Sequence, residues 1–333
     1  MQPPSTFVSM KVSLIVSVFN EEDVLPLFWN EVQQTAASMQ GTLLEVIWVN
    51  DGSTDESEAL IQSIVETTDE HGQISHQSIE FSRNFGHEAA MIAGIDHATG
   101  DVMVCLDSDL QHPPSCVPDM IQAFQDGNDI VTMIRESRAD KRSAQRASAW
   151  FYRLLNGLSD FTFEQNASDF FLISARVANI LRTNFRERNR FLRGYVQTLG
   201  FDKTALSYHA AARAAGESKY RWSGLFNLAT IAIFSFSRKP LYLAMAMSML
   251  FFVATLGIAG YSLWIYFFGE TPPEGYTTIV VFLSLSFTLL FFVLGVLSMY
   301  IGRGIEEIQE RPIYLIKTRK TSQPNSSQNT TQT

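Results

Sequence analysis

The densest chemistry in the chain is Asp107-Ser108-Asp109, two carboxylates one residue apart directly after the apolar run Val102 to Leu106. Carboxylates set that close can share one hard divalent cation, Mg²⁺ or Mn²⁺, whose remaining positions go to water and phosphate oxygens. A solvated turn accounts for the same three residues, so the surroundings must decide between the two. A second cluster is cationic: Arg135, Arg138, Lys141, Arg142 and Arg146. Arg138, Arg142 and Arg146 recur every four residues, which on a helix aligns them on one face. Guanidinium groups so placed suit bidentate capture of a phosphate; a solvated basic face is the plainer alternative. Arg213 and Lys219 add cations shortly before the apolar, aromatic stretch Trp222 to Phe236.

Positioning these groups requires a scaffold, and the sequence patterns one. Val12 to Val18, Leu43 to Val49, Ile79 to Phe81, Val102 to Leu106 and Ile130 to Met133 are short apolar runs with strand character. Helical patterns open behind Asn20-Glu21-Glu22 and near Thr54 or Asp55, and cover Phe85 to His97 and Ser115 to Gln125. Strand alternating with helix predicts a Rossmann-like, mostly parallel α/β sheet covered by helices. Ligands bind such sheets at the carboxyl ends of the strands, where Asn20, Asp51, Arg83 and Asp107 fall. A further short strand is predicted near Phe170 to Ile173.

The last third differs in kind. No charged residue lies between Lys239 and Glu270, nor between Glu274 and Arg303. Each gap exceeds the roughly 20 apolar residues that cross a bilayer as a helix, so two transmembrane helices are predicted, about 240–268 and 276–301. Arg238 and Lys239 precede the first and Arg303, Arg311, Lys317, Arg319 and Lys320 follow the second, while the connecting loop carries only Glu270 and Glu274. The positive-inside rule puts both chain ends and the N-terminal domain in the cytoplasm. Met1 to Met10 is too polar for a signal-peptide core. Trp222 to Phe236 reads as a helix in the membrane interface or as an ordinary core helix. From Thr321 onward the tail lacks apolar residues and is expected to be disordered. The net charge of -9 argues against a nucleic-acid binder, and Cys105 and Cys116 imply no disulfide framework.

Seven motifs stand in order: Val18-Phe19-Asn20-Glu21-Glu22, Val49-Asn50-Asp51-Gly52-Ser53, Ser82-Arg83-Asn84-Phe85-Gly86, Asp107-Ser108-Asp109-Leu110-Gln111, Ser168-Asp169-Phe170, Arg190-Phe191-Leu192-Arg193-Gly194 and Gly216-Glu217-Ser218-Lys219-Tyr220. With them, residues 12 to 315 resemble the family 2 glycosyltransferases, in particular the branch that glycosylates polyprenyl phosphates. The resemblance implies a GT-A fold in a cytoplasmic domain over residues 1–220, then an interfacial helix at 221–238, the two spans within 239–302, and a tail at 303–333. It implies inverting transfer of a hexose, first choice glucose from UDP-glucose, to a polyprenyl phosphate at the inner (plasma) membrane. Another donor sugar, or a membrane scaffold that binds nucleotide sugar without turnover, is the alternative.

The resemblance also distributes roles. Glu21 and Asp51 would hold base and ribose, with Arg83 and Gln111 also on the nucleotide-sugar side. Asp107 and Asp109 would hold the metal, Mg²⁺ or Mn²⁺, and through it the donor diphosphate. Asp169 would stand beside the acceptor as base or orienting group. Arg135, Arg138, Arg142, Arg213 and Lys219 would hold the acceptor phosphate. A homo-tetramer is expected on the same ground. Relatives usually carry Pro-x-Tyr-Asn-Glu where this chain has Ser17 and Phe19, Phe-Arg where it has Phe170-Phe171, and Lys where it has His87. His87 can still donate a hydrogen bond to a phosphate or sugar, or can lie on a helix surface.

Overall fold

The computed structural model describes residues 10–39, 41–66, 73–135, 167–187, 192–209, 239–268 and 275–322. The chain divides into two compact units, one formed by Met1–Ala147, Glu164–Lys219 and Pro312–Thr333, the other by Ser148–Phe163 and Tyr220–Arg311.

The first unit is built on one eight-stranded sheet. Its strands are β1 (Lys11–Val18), β2 (Leu43–Asn50), β3 (Ile74–Phe81), β4 (Val102–Asp107), β5 (Ile130–Arg135), β6 (Ala167–Ser174), β7 (Lys203–Tyr208) and β8 (Ile316–Ser322). The order across the sheet is β7-β5-β6-β4-β1-β2-β3-β8. β1 pairs in parallel with β2 and β4, β2 with β3, and β5 with β7. β6 runs antiparallel to β4 and β5, and β8 runs antiparallel to β3. The central strands are buried on both faces, as parallel strands under helices on both sides must be.

Helices α1 (Leu25–Ser38), α2 (Ser57–Glu66), α3 (His87–His97), α4 (Val117–Gln125), α5 (Ala175–Asn184) and α6 (Leu192–Thr198) surround that sheet. Leu25, Phe28, Val32 and Ile61 from the helices join Leu14, Val16, Val46, Trp48 and Val104 from the strands in one apolar cluster. On α3, every residue from Ala89 to Ile95 is buried. Gly94 is required there, because a Cβ at that position would sit 2.0 Å from Ile15 Cγ2 of β1.

The predicted α/β alternation is present, with two extensions. β3 starts at Ile74, well before the apolar run Ile79 to Phe81, because His76, Gln77 and Ser78 are polar residues that the fold buries. Trp48 Nε1 lies 3.5 Å from His76 Nδ1, and Gln62 Nε2 donates to Ser78 Oγ at 3.2 Å. Such partners keep polar side chains tolerable inside, and no local pattern announces them. The second extension is β8, which continues through Thr321 and Ser322, where the composition predicts disorder.

The described part of the second unit consists of α7 (Lys239–Phe268) and α8 (Tyr276–Ile308), of 30 and 33 residues. At 1.5 Å per residue each outspans a hydrocarbon core of about 30 Å. They meet at Phe251 and Phe282, stacked at 6.1 Å. Of Leu241–Ile258 only 6% is buried, and of Val281–Ile308 none; a helix from a soluble core would be mostly covered. The stretch 221–238 lies outside the described residues.

Candidate active site

The sheet reverses its winding between β1 and β4: successive strands run β1, β2, β3 to one side, and β4 returns to the other. Such a switch point opens a crevice at the carboxyl ends of the strands. Ser17 and Asp107 are paired in register at that point. The Ser17 hydroxyl donates to Asp107 Oδ1 at 2.8 Å and lies 3.0 Å from His87 Nδ1, at the start of α3. Because the hydroxyl has one proton and the carboxylate can only accept it, His87 must donate from Nδ1 to Ser17.

The turn after β4 is pinned residue by residue. The Asp107 amide donates to His112 Nδ1 at 3.0 Å, and the Ser108 hydroxyl to the Ser17 carbonyl at 3.1 Å. The Gln111 amide donates to Asp109 Oδ1 at 3.0 Å, closing a turn in which Leu110 adopts φ 61°. The His112 ring stacks on Phe170 at 5.2 Å, and Tyr208 meets both rings edge-on. Arg135, at the end of β5, donates from Nη1 to Gln111 Oε1 at 3.0 Å.

Asp169 enters from β6. The antiparallel register pairs Cys105 with Phe171; carried two residues further it sets Asp169 against Asp107 on the same face. His87 lies between them, Nδ1 3.3 Å from Asp107 Oδ1 and Nε2 3.9 Å from Asp169 Oδ2. Arg193 Nε approaches Asp169 Oδ1 at 3.6 Å. Burial disfavours the charged imidazole of His87, but the carboxylates of Asp107, Asp169 and Glu88 outweigh it and hold its pKa above the ordinary value. Glu88 is pushed up to about 7, by burial first and by Asp169 second. Its carboxylate accepts the Leu192 amide at 2.8 Å, which ties α3 to α6.

The side expected to take the nucleotide is built differently. Asp51, 3% exposed, accepts the Phe85 amide at 2.6 Å and the Gly86 amide at 2.9 Å. Both oxygens of the residue expected at the base or ribose therefore hold the 82–86 loop. Asn50 is buried too, bonded to Glu58 and to the Ser53 amide. Gly52, at φ 69°, is the point of closest approach: a Cβ would lie 2.5 Å from the Arg83 carbonyl carbon. Arg83 itself is exposed, its guanidinium 4.0 Å above the Phe85 ring. Glu21 is half-buried, and its carbonyl accepts the Val24 and Leu25 amides that start α1.

One edge of the sheet thus gathers Glu21, Asp51, Arg83, Asp107, Asp109, Gln111, Arg135 and Asp169. Arg138, Arg142, Arg213 and Lys219 lie outside the described residues. Ser17 and His87, marked in the sequence only as departures from the family pattern, stand at the centre. His112 and Arg193 lie within or beside quoted motifs without an assigned role, and Glu88 has no local signal at all. Among the described residues no group of three or more His, Cys, Asp or Glu side chains is arranged to hold a metal. Asp107 and Asp109 have the carboxylate chemistry a hard cation takes, with phosphate oxygens and water left to complete its shell.

Residues 13–181 match the family described as Glycosyl transferase family 2. The bactoprenol glucosyl transferase of Shigella phage SfX is 36% identical over 316 residues, 93% of this chain and 100% of that protein. The prophage bactoprenol glucosyl transferase homolog of Escherichia coli K12 is 34% identical, over 93% of this chain and 100% of its own length. Among solved structures, the mannosyltransferase PcManGT from Pyrobaculum calidifontis, in complex with GDP-Man and Mn²⁺, is 14% identical with a TM-score of 0.46, over 90% of this chain and 87% of that one. By its family match and by relatives aligned along nearly its whole length, the chain belongs to glycosyl transferase family 2.

Proposed function

We propose that this glycosyltransferase moves glucose, with inversion, from UDP-glucose to a polyprenyl phosphate at the cytoplasmic face of a membrane. The observation that carries this is the extent of the similarity to bactoprenol glucosyl transferases, 36% identity over 93% of the chain, a span that includes the two apolar helices. An acceptor that never leaves the bilayer calls for an enzyme anchored in it. A chain that crosses twice returns to its starting side, and β8, hydrogen-bonded to β3 after α8, supports that return.

In this mechanism a phosphate oxygen of the acceptor attacks the anomeric carbon as the bond to the nucleoside diphosphate breaks. Asp107 and Asp109 would hold Mg²⁺ or Mn²⁺. A cation held there would supply positive charge against the departing diphosphate. Ser17 and His112 keep Asp107 aimed into the crevice. Asp169, set between His87 and Arg193, orients the acceptor; a phosphate monoester is already anionic near neutral pH, so no strong base is required. Arg135, steadied by Gln111, would join Arg138, Arg142, Arg213 and Lys219 on the acceptor phosphate. Glu21 and Arg83 would hold the nucleotide, with Asp51 positioning the Arg83 loop. The assembly proposed is a homo-tetramer.

The test is transfer by detergent-purified protein given undecaprenyl phosphate, Mg²⁺ or Mn²⁺ and a panel of nucleotide sugars, with product followed by mass spectrometry. Lipid-linked glucose from UDP-glucose, abolished by EDTA and by Asp109→Ala, is the expected result. Product from a different donor alone would replace glucose as the sugar. Nucleotide binding with no product from any donor would overturn the enzyme assignment.

A further inference from the structure

The segment from Pro312 onward belongs to the same compact unit as the sheet. It lays Tyr314 flat on Phe81, the last residue of β3, with ring centroids 5.2 Å apart and planes 11° from parallel. The Tyr314 hydroxyl donates to Asp96 Oδ2 at 2.7 Å, and Arg186 Nη1 grips the same carboxylate at 2.7 and 3.0 Å. The next residue, Leu315, offers its carbonyl to the Ser82 amide at 2.9 Å. From Ile316 the segment runs as β8 along β3, with Lys317 bonded to Glu80 at 2.5 Å.

Those contacts converge on the 82–86 loop. Phe81 meets Phe85 edge-on at 5.7 Å, and the Arg83 guanidinium lies 4.0 Å from the Phe85 ring centroid. The far end of the loop, Phe85 and Gly86, is held by Asp51. The near end, Ser82, is held by the C-terminal segment. Arg83 projects between two anchors that are separated in sequence by most of the chain.

We infer that Tyr314 and Leu315 form a positioning strap for Arg83, so that the segment following the second long helix sets the affinity for the nucleotide sugar. Tyr314 is a positioning residue: it acts through Phe81 and Phe85 and touches no substrate. The strap rests on the reading of Arg83 as a nucleotide-sugar ligand, and the test separates the two.

Full-length protein in detergent is assayed with UDP-glucose and undecaprenyl phosphate, each varied against the other, for Tyr314→Ala, Tyr314→Phe, Arg83→Ala and the double variant Tyr314→Ala/Arg83→Ala. Tyr314→Ala is expected to raise KM for UDP-glucose about tenfold, leaving kcat and the KM for the lipid within about twofold. Tyr314→Phe keeps the stacked ring and stays close to the unmodified protein. The double variant is expected to be no worse than Arg83→Ala alone, since both remove the same contribution. Tyr314→Leu, which fills the space but removes both the stacked ring and the hydroxyl bond to Asp96, is read in place of Tyr314→Ala should that variant fail to fold. An unchanged donor KM in Tyr314→Ala, or in Tyr314→Leu where that takes its place, beside a raised one in Arg83→Ala overturns the strap, as do additive losses in the double variant. An unchanged donor KM in Arg83→Ala overturns the nucleotide role of Arg83 itself.

Discussion

Asp51 and Asp107 stand at the ends of the two strands that flank β1, and they are put to opposite uses. Asp107 keeps its side chain 29% exposed and is held by side chains: the Ser17 hydroxyl, with His87 and His112 beside it. Asp51 is buried, and main-chain amides of Phe85 and Gly86 occupy both its oxygens. Burial pushes its pKa up, and the two amide bonds only partly offset that. One carboxylate stays part-exposed among side chains; the other is buried and braces a loop. Residue type is the same and strand position nearly so, so the difference comes from what folds over each one.

That contrast is open to breakage. The largest effect expected is from Asp107→Asn, which should cost transfer a factor of about 10²–10³ while thermal melting stays near that of the unmodified protein. A melting temperature that fell with activity would place Asp107 among the scaffold residues. Gly52→Ala comes next. It forces a left-handed backbone on alanine, which alone costs roughly 1–3 kcal/mol, and adds to that a methyl driven into the Arg83 backbone, a sum that melting curves would register. Full stability in that variant would show that the loops are not in contact. Asp51→Asn should be milder: one oxygen still accepts, but the amide nitrogen cannot, and a buried backbone N–H left unpaired costs about 1–3 kcal/mol. Its activity loss should be confined to the donor KM; a fall in kcat as large as that of Asp107→Asn would erase the distinction.

The smallest effect is a slope. Glu45, on the strand that leads to Asp51, is also buried, yet bonds from Ser13, Thr99 and Lys11 outweigh that burial and lower its pKa from 4.5. A carboxylate lowered in the folded state contributes stability that is present above its unfolded pKa and lost as pH falls through the folded one. Asp51, raised instead, has the opposite sign: stability declines as pH rises through its folded pKa. Glu45→Gln should therefore flatten the acid-side fall in melting temperature below pH 4.5. An unchanged slope would mean that Glu45 gains nothing from its partners.

How much of this was legible follows the range of the interactions. Asp107-Ser108-Asp109 announces itself because its chemistry is packed into three residues after an apolar strand. α7 and α8 are equally plain, since a bilayer demands only length and apolarity. Ser17 and His87 are neighbours through the packing of α3 on β1 across 70 positions of sequence, and neither is informative without the other. β8 has no apolar alternation; its charges suit an edge strand, and it becomes a strand only where β3 offers free hydrogen-bonding groups.

By itself the sequence determined the α/β alternation, the paired carboxylates at a strand end, the two long apolar helices and the family. These depend on local periodicity and composition, which the chain carries wherever it goes. Only the tertiary structure decided that Asp51 is buried against the amides of Phe85 and Gly86 while Asp107 stays part-exposed beside Ser17, that His87 lies between Asp107 and Asp169, and that the C-terminal segment reaches back to the Arg83 loop. Burial and hydrogen-bond partners belong to pairs of distant residues, and those pairs exist only once the sheet has set its strand order.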